Sequence, residues 1–413
     1  MGQKVYGVVF GGGNVATWLR ALEGGLEALP SDHKLMVFSD GFTGLNEGRF
    51  YIIDDKTQFD PELPGTFSGT SRDNVDESKI RAVRDKLIVG GFELEGIIGC
   101  CGNDHLKVLA DTGSILDLPV IGWPKTMDND LSGTLCTLGF PTAAHEAAQA
   151  TQRAALAAYN FNRVHILTYF GRDTDWVVSA AALWGFSDVV IGTEIKAEDK
   201  HTMRRRVDVF DNDTEKRTVS ETVGYKFDYI LERTREAIKR NRSLYGKGFA
   251  VVSAAEAGKI YGIENHVDKE DLDKHGHPKF NPETLMLALR KAYKSNGIDA
   301  AGEAVTYDHC RFRPATRLDA EVSRLAGIEA VRALITGKNG VCVVITNITD
   351  GTPTFDLKPL PEVYRQRFLR PEGFMDYNNL AVNPALEQHF ECLFGPVGQR
   401  YDRMYKKIAE RQV

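Results

Sequence analysis

The chain has 413 residues, 42% of them hydrophobic and 26% charged, with a formal net charge of −6. A chain of that length buries a large core and suits two or three domains. Its acidic balance argues against a nucleic-acid partner, and no apolar run approaches the roughly 20 residues of a membrane span.

The N-terminal "MGQKVYGVVF" lacks the apolar core of a signal peptide, and Tyr6 stands where a myristoylation signal needs Ser or Thr. Cys100, Cys101, Cys136, Cys310, Cys342 and Cys392 show no zinc-ligand spacing. Together these features predict a reduced, cytoplasmic protein. "KVYGVVF" reads as a buried strand, "HKLMVFS" as a second, and "SKIRAVRDKLIVGG" as a helix stopped by glycines. The strands "LEGIIGCC" and "LPVIGW" follow, so strands and helices alternate through the first 125 residues. That alternation predicts a parallel, doubly wound α/β sheet.

A second α/β unit begins near Pro141 with the Ala-rich helix "PTAAHEAAQATQRAALAAYN". The strand "RVHILTYF", the helix "DWVVSAAALWG" and the strand "SDVVIGTE" continue it. Residues 196–222 are charged and apolar-poor, and read as a surface insertion. Within it, "RRR" at 204–206 suits a solvated loop or an effector-phosphate site. The helix "YKFDYILERTREAIKRN" and the strand "GFAVVSAA" precede a second polar excursion near 264–282. The helices "TLMLALRKAYKSNG" and "DAEVSRLAGIEAVRALITG" and the strand "GVCVVITNI" come last, before a proline-punctuated, then helical, C-terminal stretch.

In open α/β sheets ligands bind beyond the carboxyl ends of strands, so the loops there matter most. In "FGGGNVATW", residues 10–18, glycines between strand and helix let backbone N–H groups approach an anion. The same residues fit G-x-G-x-x-A through Gly11, Gly13 and Ala16, with Asp40 as the acid a nicotinamide cofactor would need. "GTFSGTSRDN" leads small and hydroxylated residues up to Arg72, a phosphate donor or a solvated side chain. In "IIGCCGND", Gly99 and Gly102 mark exposed backbone, and the vicinal cysteines read as buried, inert thiols.

The fourth loop, "PKTMDND", carries Lys125, Thr126, Asp128 and Asp130. If extended, it points both aspartates the same way. One carboxylate could then accept a proton from an attacking hydroxyl while the other holds a metal, with Lys125 and Thr126 stabilising phosphate charge. The alternative is an Asx turn capping the next helix. Further strand-end residues are Gly171 and Arg172 in "TYFGRDTDW", Glu256 in "AAEAG", and His309, Arg311 and Arg313 in "YDHCRFRP".

In order, "FGGG", "DGFTGL", "GTFSGTSR", "GCCGN", "PKTMDND", "GFPTAA", "FGR", Glu256 and Arg311 resemble the motif series of the phosphofructokinase family over roughly residues 5–350. The resemblance implies two Rossmann-like three-layer α/β domains with mostly parallel sheets and an active site in the cleft between them. Residues 1–140 with about 315–365 would bind the donor, 141–314 the sugar phosphate, and 366–413 would form a helical extension. The implied reaction moves a phosphoryl group to the 1-hydroxyl of fructose 6-phosphate, with Mg2+, in a cytoplasmic glycolytic homodimer or homotetramer.

By motif position Asp128 would be the general base, Thr126 would stabilise the moving phosphoryl, and Asp130 would help with the metal. Gly11, Gly12, Arg72, Gly102, Asn103 and Lys125 would hold the donor. Phe170, Gly171, Arg172, Glu256, His309 and Arg311 would hold the sugar phosphate, and Arg163 would reach a neighbouring subunit's sugar. In this family lysine at position 125 goes with pyrophosphate and glycine with ATP, whereas Gly102 is the ATP-type marker. Departures cluster on the donor side: Cys100 and Cys101 replace the glycine and the metal-site aspartate of G-G-D, with Asp104 as a substitute ligand. "NVATW" replaces the usual G-x-N, and Phe170 the methionine. Cys101 also suits a silent paralogue acting as a partner subunit.

Overall fold

The computed structural model describes residues 2–172, 174–193, 197–211, 216–267, 281–367 and 371–397. The chain forms two compact units, Met1–Ala143 with Asp308–Arg367, and Ala144–Tyr307 with Phe368–Val413. The first unit opens with β1 (Gln3–Gly11), α1 (Trp18–Glu27), β2 (His33–Phe38), α2 (Phe42–Glu47) and β3 (Phe50–Ile53). It continues with α3 (Glu77–Val89), β4 (Phe92–Cys101), α4 (Asn103–Leu116) and β5 (Val120–Pro124).

Helix α5 (Phe140–Phe161) leads into β6 (Val164–Tyr169), α6 (Trp176–Gly185), β7 (Val189–Ile191), β8 (Thr202–Asp211) and β9 (Lys216–Lys226). Then come α7 (Phe227–Tyr245), β10 (Ala250–Ala255), β11 (Ile260–Tyr261), α8 (Pro282–Ser295) and β12 (Ala300–Val305). The chain returns to the first unit with α9 (Tyr307–Arg311), α10 (Arg317–Ile335), β13 (Val341–Thr349), β14 (Thr352–Pro359) and α11 (Leu360–Val363). It ends in the second with α12 (Pro371–Phe374), β15 (Met375–Asp376), β16 (Ala381–Val382) and α13 (Ala385–Phe394).

The first unit's sheet has the order β14-β13-β5-β4-β1-β2-β3. Its five inner strands are parallel, and the two edges are antiparallel. Helices cover both faces, which explains the unbroken apolar runs: Val5, Val8, Val9, Ile97, Ile98 and Ile121 are fully buried. After β1 the chain pairs β2 on one side and β4 on the other, so the strand order reverses at β1/β4. The crevice beyond that switch point is where such sheets bind ligands. The strands end level there, with Gly11 opposite Cys101 and Cys101 opposite Pro124.

The second unit's main sheet is parallel, in the order β12-β6-β10-β7. The stretch read as a surface insertion at 196–222 is mostly a hairpin: β8 and β9 pair antiparallel from Thr202 opposite Tyr225 to Asp211 opposite Lys216. Residues 196 and 212–215 lie outside the described residues. So does 268–280, most of the second excursion, of which Glu264–His266 forms a 3-10 turn.

Of the stretch 366–413, residues 366–367 and 371–397 are described. Its described part beyond Arg367 packs in the second unit, where Trp176 meets Phe374 and Phe390, and Trp184 Nε1 donates to the Gly395 carbonyl at 2.9 Å. Residues 398–413 lie outside the described residues. No helix among the described residues is long and apolar enough to cross a membrane.

Candidate active site

In the first unit the site grows from the level ends of β1, β4 and β5. After Gly11 the backbone turns at Gly12 (φ 85°), whose N–H donates to the Ser71 carbonyl at 2.9 Å. Thr70 Oγ1 donates to the carbonyls of Phe10 (2.9 Å) and Gly12 (2.8 Å), tying "GTFSGTSR" to "FGGG" and setting exposed Arg72 beside the turn. Helix α1 begins only at Trp18, so Ala16 precedes the helix. A dinucleotide fingerprint instead runs directly into its helix. Asp40, the acid that reading needs, is held by Arg49 at 3.0 Å.

At the end of β4, Gly102 caps α4, and Asn103 and exposed Asp104 form its first turn. The dipole of that helix start favours an anion. Cys100 and Cys101 are fully buried, and burial pushes the Cys101 thiol up to about 12. Both thiols are therefore protonated and unreactive. Sequence reading missed His105, which is 8% exposed and stacks on Phe42 with centroids 5.7 Å apart. A Cβ at Gly11 would lie 2.8 Å from His105 Cβ, so the ring forms the floor of the glycine turn. Burial, then the Lys125 charge, lower the imidazole pKa and favour its neutral form.

Lys125 follows β5, its N–H bonded to the Cys101 carbonyl at 3.0 Å and its side chain only 2% exposed. Nζ donates to the Gly13 carbonyl and lies 4.9 Å from the Trp18 ring centroid. A Cβ at Gly12 would be 3.6 Å from that Nζ. Burial pushes the ammonium down to about 8 against the opposing pull of Asp128, and Arg311 pushes it further down. Glycine turn, helix start and buried ammonium thus make one positive corner.

The segment after Lys125 is not extended. Asn129 is left-handed at φ 55°, so the alternation that would aim Asp128 and Asp130 the same way does not apply. The Asp128 carboxylate lies within electrostatic range of Lys125, and Asp130 within that of Arg367. Both aspartates are buried, at 5% and 3% exposure. Thr126 Oγ1 accepts from the Asp128 N–H at 3.1 Å. The return limb closes the loop: Thr137 N–H donates to Asn129 Oδ1 at 3.0 Å, and its hydroxyl to the Thr126 carbonyl at 2.6 Å. No group of three or more His, Cys, Asp or Glu suited to a metal occurs among the described residues.

His309 and Arg311, expected with the sugar-binding residues, lie on α9 in the first unit. Cys310 is buried there, its thiol 3.7 Å from the Ala143 carbonyl, while His309 is exposed. In the second unit, β6 and β10 run side by side and bring "FGR" to Glu256. Glu256 Oε1 accepts from the N–H groups of Gly171 (3.2 Å) and Arg172 (2.7 Å), the latter left-handed at φ 50°. Phe170 is buried against Tyr307, with centroids 4.5 Å apart, and Arg172 is exposed. Arg163 precedes β6, against Phe161 at 4.7 Å, so the length of the strand separates it from the Arg172–Glu256 cluster.

Anion-binding backbone and a buried carboxylate loop at the switch point of a doubly wound sheet are what an α/β phosphoryl-transfer scaffold provides. Comparison with known proteins narrows that class. The Phosphofructokinase family profile matches residues 7–257, more than half of the chain, which therefore belongs to that family. A pyrophosphate–fructose 6-phosphate 1-phosphotransferase from Thermoproteus tenax is 25% identical over 345 residues, spanning 83% of this chain and 89% of that one. An ATP-dependent 6-phosphofructokinase 2 from Streptomyces coelicolor is 28% identical over 258 residues, 61% of this chain and 64% of the other. In fold, the chain is similar to the crystal structure of a pyrophosphate-dependent phosphofructokinase from Marinobacter aquaeolei. There the TM-score is 0.72 at 18% identity, covering 94% of this chain and 91% of that one.

Proposed function

We propose that the chain transfers a phosphoryl group from pyrophosphate to the 1-hydroxyl of fructose 6-phosphate, giving fructose 1,6-bisphosphate and phosphate. The observation that carries this reading is Lys125, whose ammonium is buried against the Gly12–Gly13 turn. A fixed cation there attracts a small polyanion and fills room that a nucleoside would need. Gly11, Gly12, Gly102, Asn103 and Arg72 complete the donor side.

Asp128 removes the proton from O1 as that oxygen bonds to phosphorus, and the bridging P–O bond of pyrophosphate breaks with its electrons on the departing phosphate. Thr126 donates to the transferring phosphoryl oxygens. Phe170, Gly171, Arg172 and Glu256 serve the sugar, and His309 and Arg311 its phosphate. Arg163, set apart from that cluster, serves a neighbouring subunit in a cytoplasmic homo-oligomer.

Phosphofructokinases generally use magnesium, but no group of three or more His, Cys, Asp or Glu among the described residues gathers to hold it. The metal-side position holds Cys101, a neutral thiol, and a hard cation prefers oxygen. Asp104 is exposed, and Asp130 shares its surroundings with the Arg367 charge. That mismatch favours one competing reading, a silent paralogue that binds sugar phosphate as a partner subunit. Assaying fructose 1,6-bisphosphate with each donor in magnesium buffer decides between them. The proposal predicts turnover that Asp128→Asn lowers by about a thousandfold. Sugar-phosphate binding without turnover supports the silent paralogue.

A further inference from the structure

Resting on the reading of Asp128 as general base, we propose that Arg367 is a positioning residue that holds the Lys125–Leu138 loop in its reactive shape. Nothing near Arg367 in sequence marks it, and it lies 232 to 238 positions beyond the loop residues that its side chain bonds. Its guanidinium donates to three loop carbonyls: Thr134 through Nη1, and Asn129 (3.1 Å) and Leu135 (3.4 Å) through Nη2. Its own N–H donates to the Asp130 carbonyl at 2.6 Å.

The preceding residues extend the clamp. Gln366 bridges antiparallel to Leu131, and Ser132 N–H is shared between the Val363 and Arg365 carbonyls at 3.1 Å each. Outgoing and returning limbs are thus cross-linked by one side chain from a separate segment. The clamp holds the peptide that follows left-handed Asn129 (φ 55°), a conformation a non-glycine residue keeps only when its surroundings over-determine it. Asn129 separates the two aspartates, so its backbone sets where the Asp128 carboxylate points. A planar fork of donors reaches carbonyls on both limbs, a set that a lysine's ammonium reproduces only in part.

The test compares full-length wild type with Arg367→Met and Arg367→Lys. It measures kinetics with pyrophosphate and fructose 6-phosphate, thermal unfolding, and hydrogen exchange of the peptide spanning 125–138. The expected result for Arg367→Met is a kcat lower by about a hundredfold, the loss expected from a misplacement near 1 Å. Both KM values stay within about threefold. Exchange quickens in 125–138 but not in β1 or β4, and Arg367→Lys recovers part of kcat. Unchanged kcat with unchanged exchange overturns the proposal. So does a kcat loss that accompanies faster exchange throughout the first unit, because Arg367 would then be merely structural. If wild type turns over with neither donor, the functional reading fails, and local exchange in 125–138 alone decides whether Arg367 shapes the loop.

Discussion

At Lys125, stability and donor capture respond to pH in opposite directions. Burial lowers the ammonium from 10.5 to about 8, so between those values the unfolded chain holds a proton that the folded chain has released. Stability therefore gains from this residue as pH rises through that window. Pyrophosphate capture loses its cation over the same range. The kcat/KM for pyrophosphate should fall above pH 8 by about tenfold per unit, while the midpoint of thermal unfolding does not fall in parallel. A flat kcat/KM between pH 7 and 9.5 contradicts the role given to Lys125. The lysine and Asp128 were legible because seven residues in a row carry a specific pattern. His105 and Trp18 were not: "NDHL" and "NVATW" look like ordinary polar and apolar text until the fold sets one ring under Gly11 and the other beside Lys125.

Helix α5 shows how an element is held by a residue remote in sequence. Asp319, fully buried on α10, accepts from the N–H groups of Gly139 and Thr142 at 3.1 Å each and from the Thr142 hydroxyl at 2.6 Å. Asp319→Ala leaves those donors buried and unsatisfied, and should cost about 1–3 kcal/mol in chemical denaturation at pH 7. Burial raises this carboxyl from 3.8 to about 6, so its favourable term is complete below pH 3.8 and lost as pH rises through 6. Asp319→Asn should flatten the decline of stability with pH in that window; an unaltered slope counts against the assignment. The buried strands and amphipathic helices were readable from apolar runs and spacing, α3 with its glycine stop among them. What escaped were β3, β14 and β12 at sheet edges and the charged β8–β9 hairpin. In β14 and the hairpin polar residues hide the strand period, whereas β3 ("FYII") is only four residues long and β12 ("AAGEAV") is made mostly of small residues.

For the whole molecule, apolar runs and spacing show two α/β units, and it is the motif resemblance that assigns about 315–365 to the unit of 1–140 and 141–314 to the other. The joins fall at 143/144, 307/308 and 367/368, placing Arg311 and Arg367 in the same unit as Asp128. The ties responsible, Cys310 to the Ala143 carbonyl and Thr316 N–H to Thr142 Oγ1, join positions about 170 residues apart and leave no local signature. Donor choice is the property on which the account stands. Fructose 1,6-bisphosphate formation should be measured with pyrophosphate and ATP side by side, in wild type and Lys125→Gly. Wild type should prefer pyrophosphate in kcat/KM by about a hundredfold or more, and Lys125→Gly should move the ratio toward ATP by more than about tenfold. A wild type that prefers ATP, or a ratio that Lys125→Gly leaves unchanged, contradicts it.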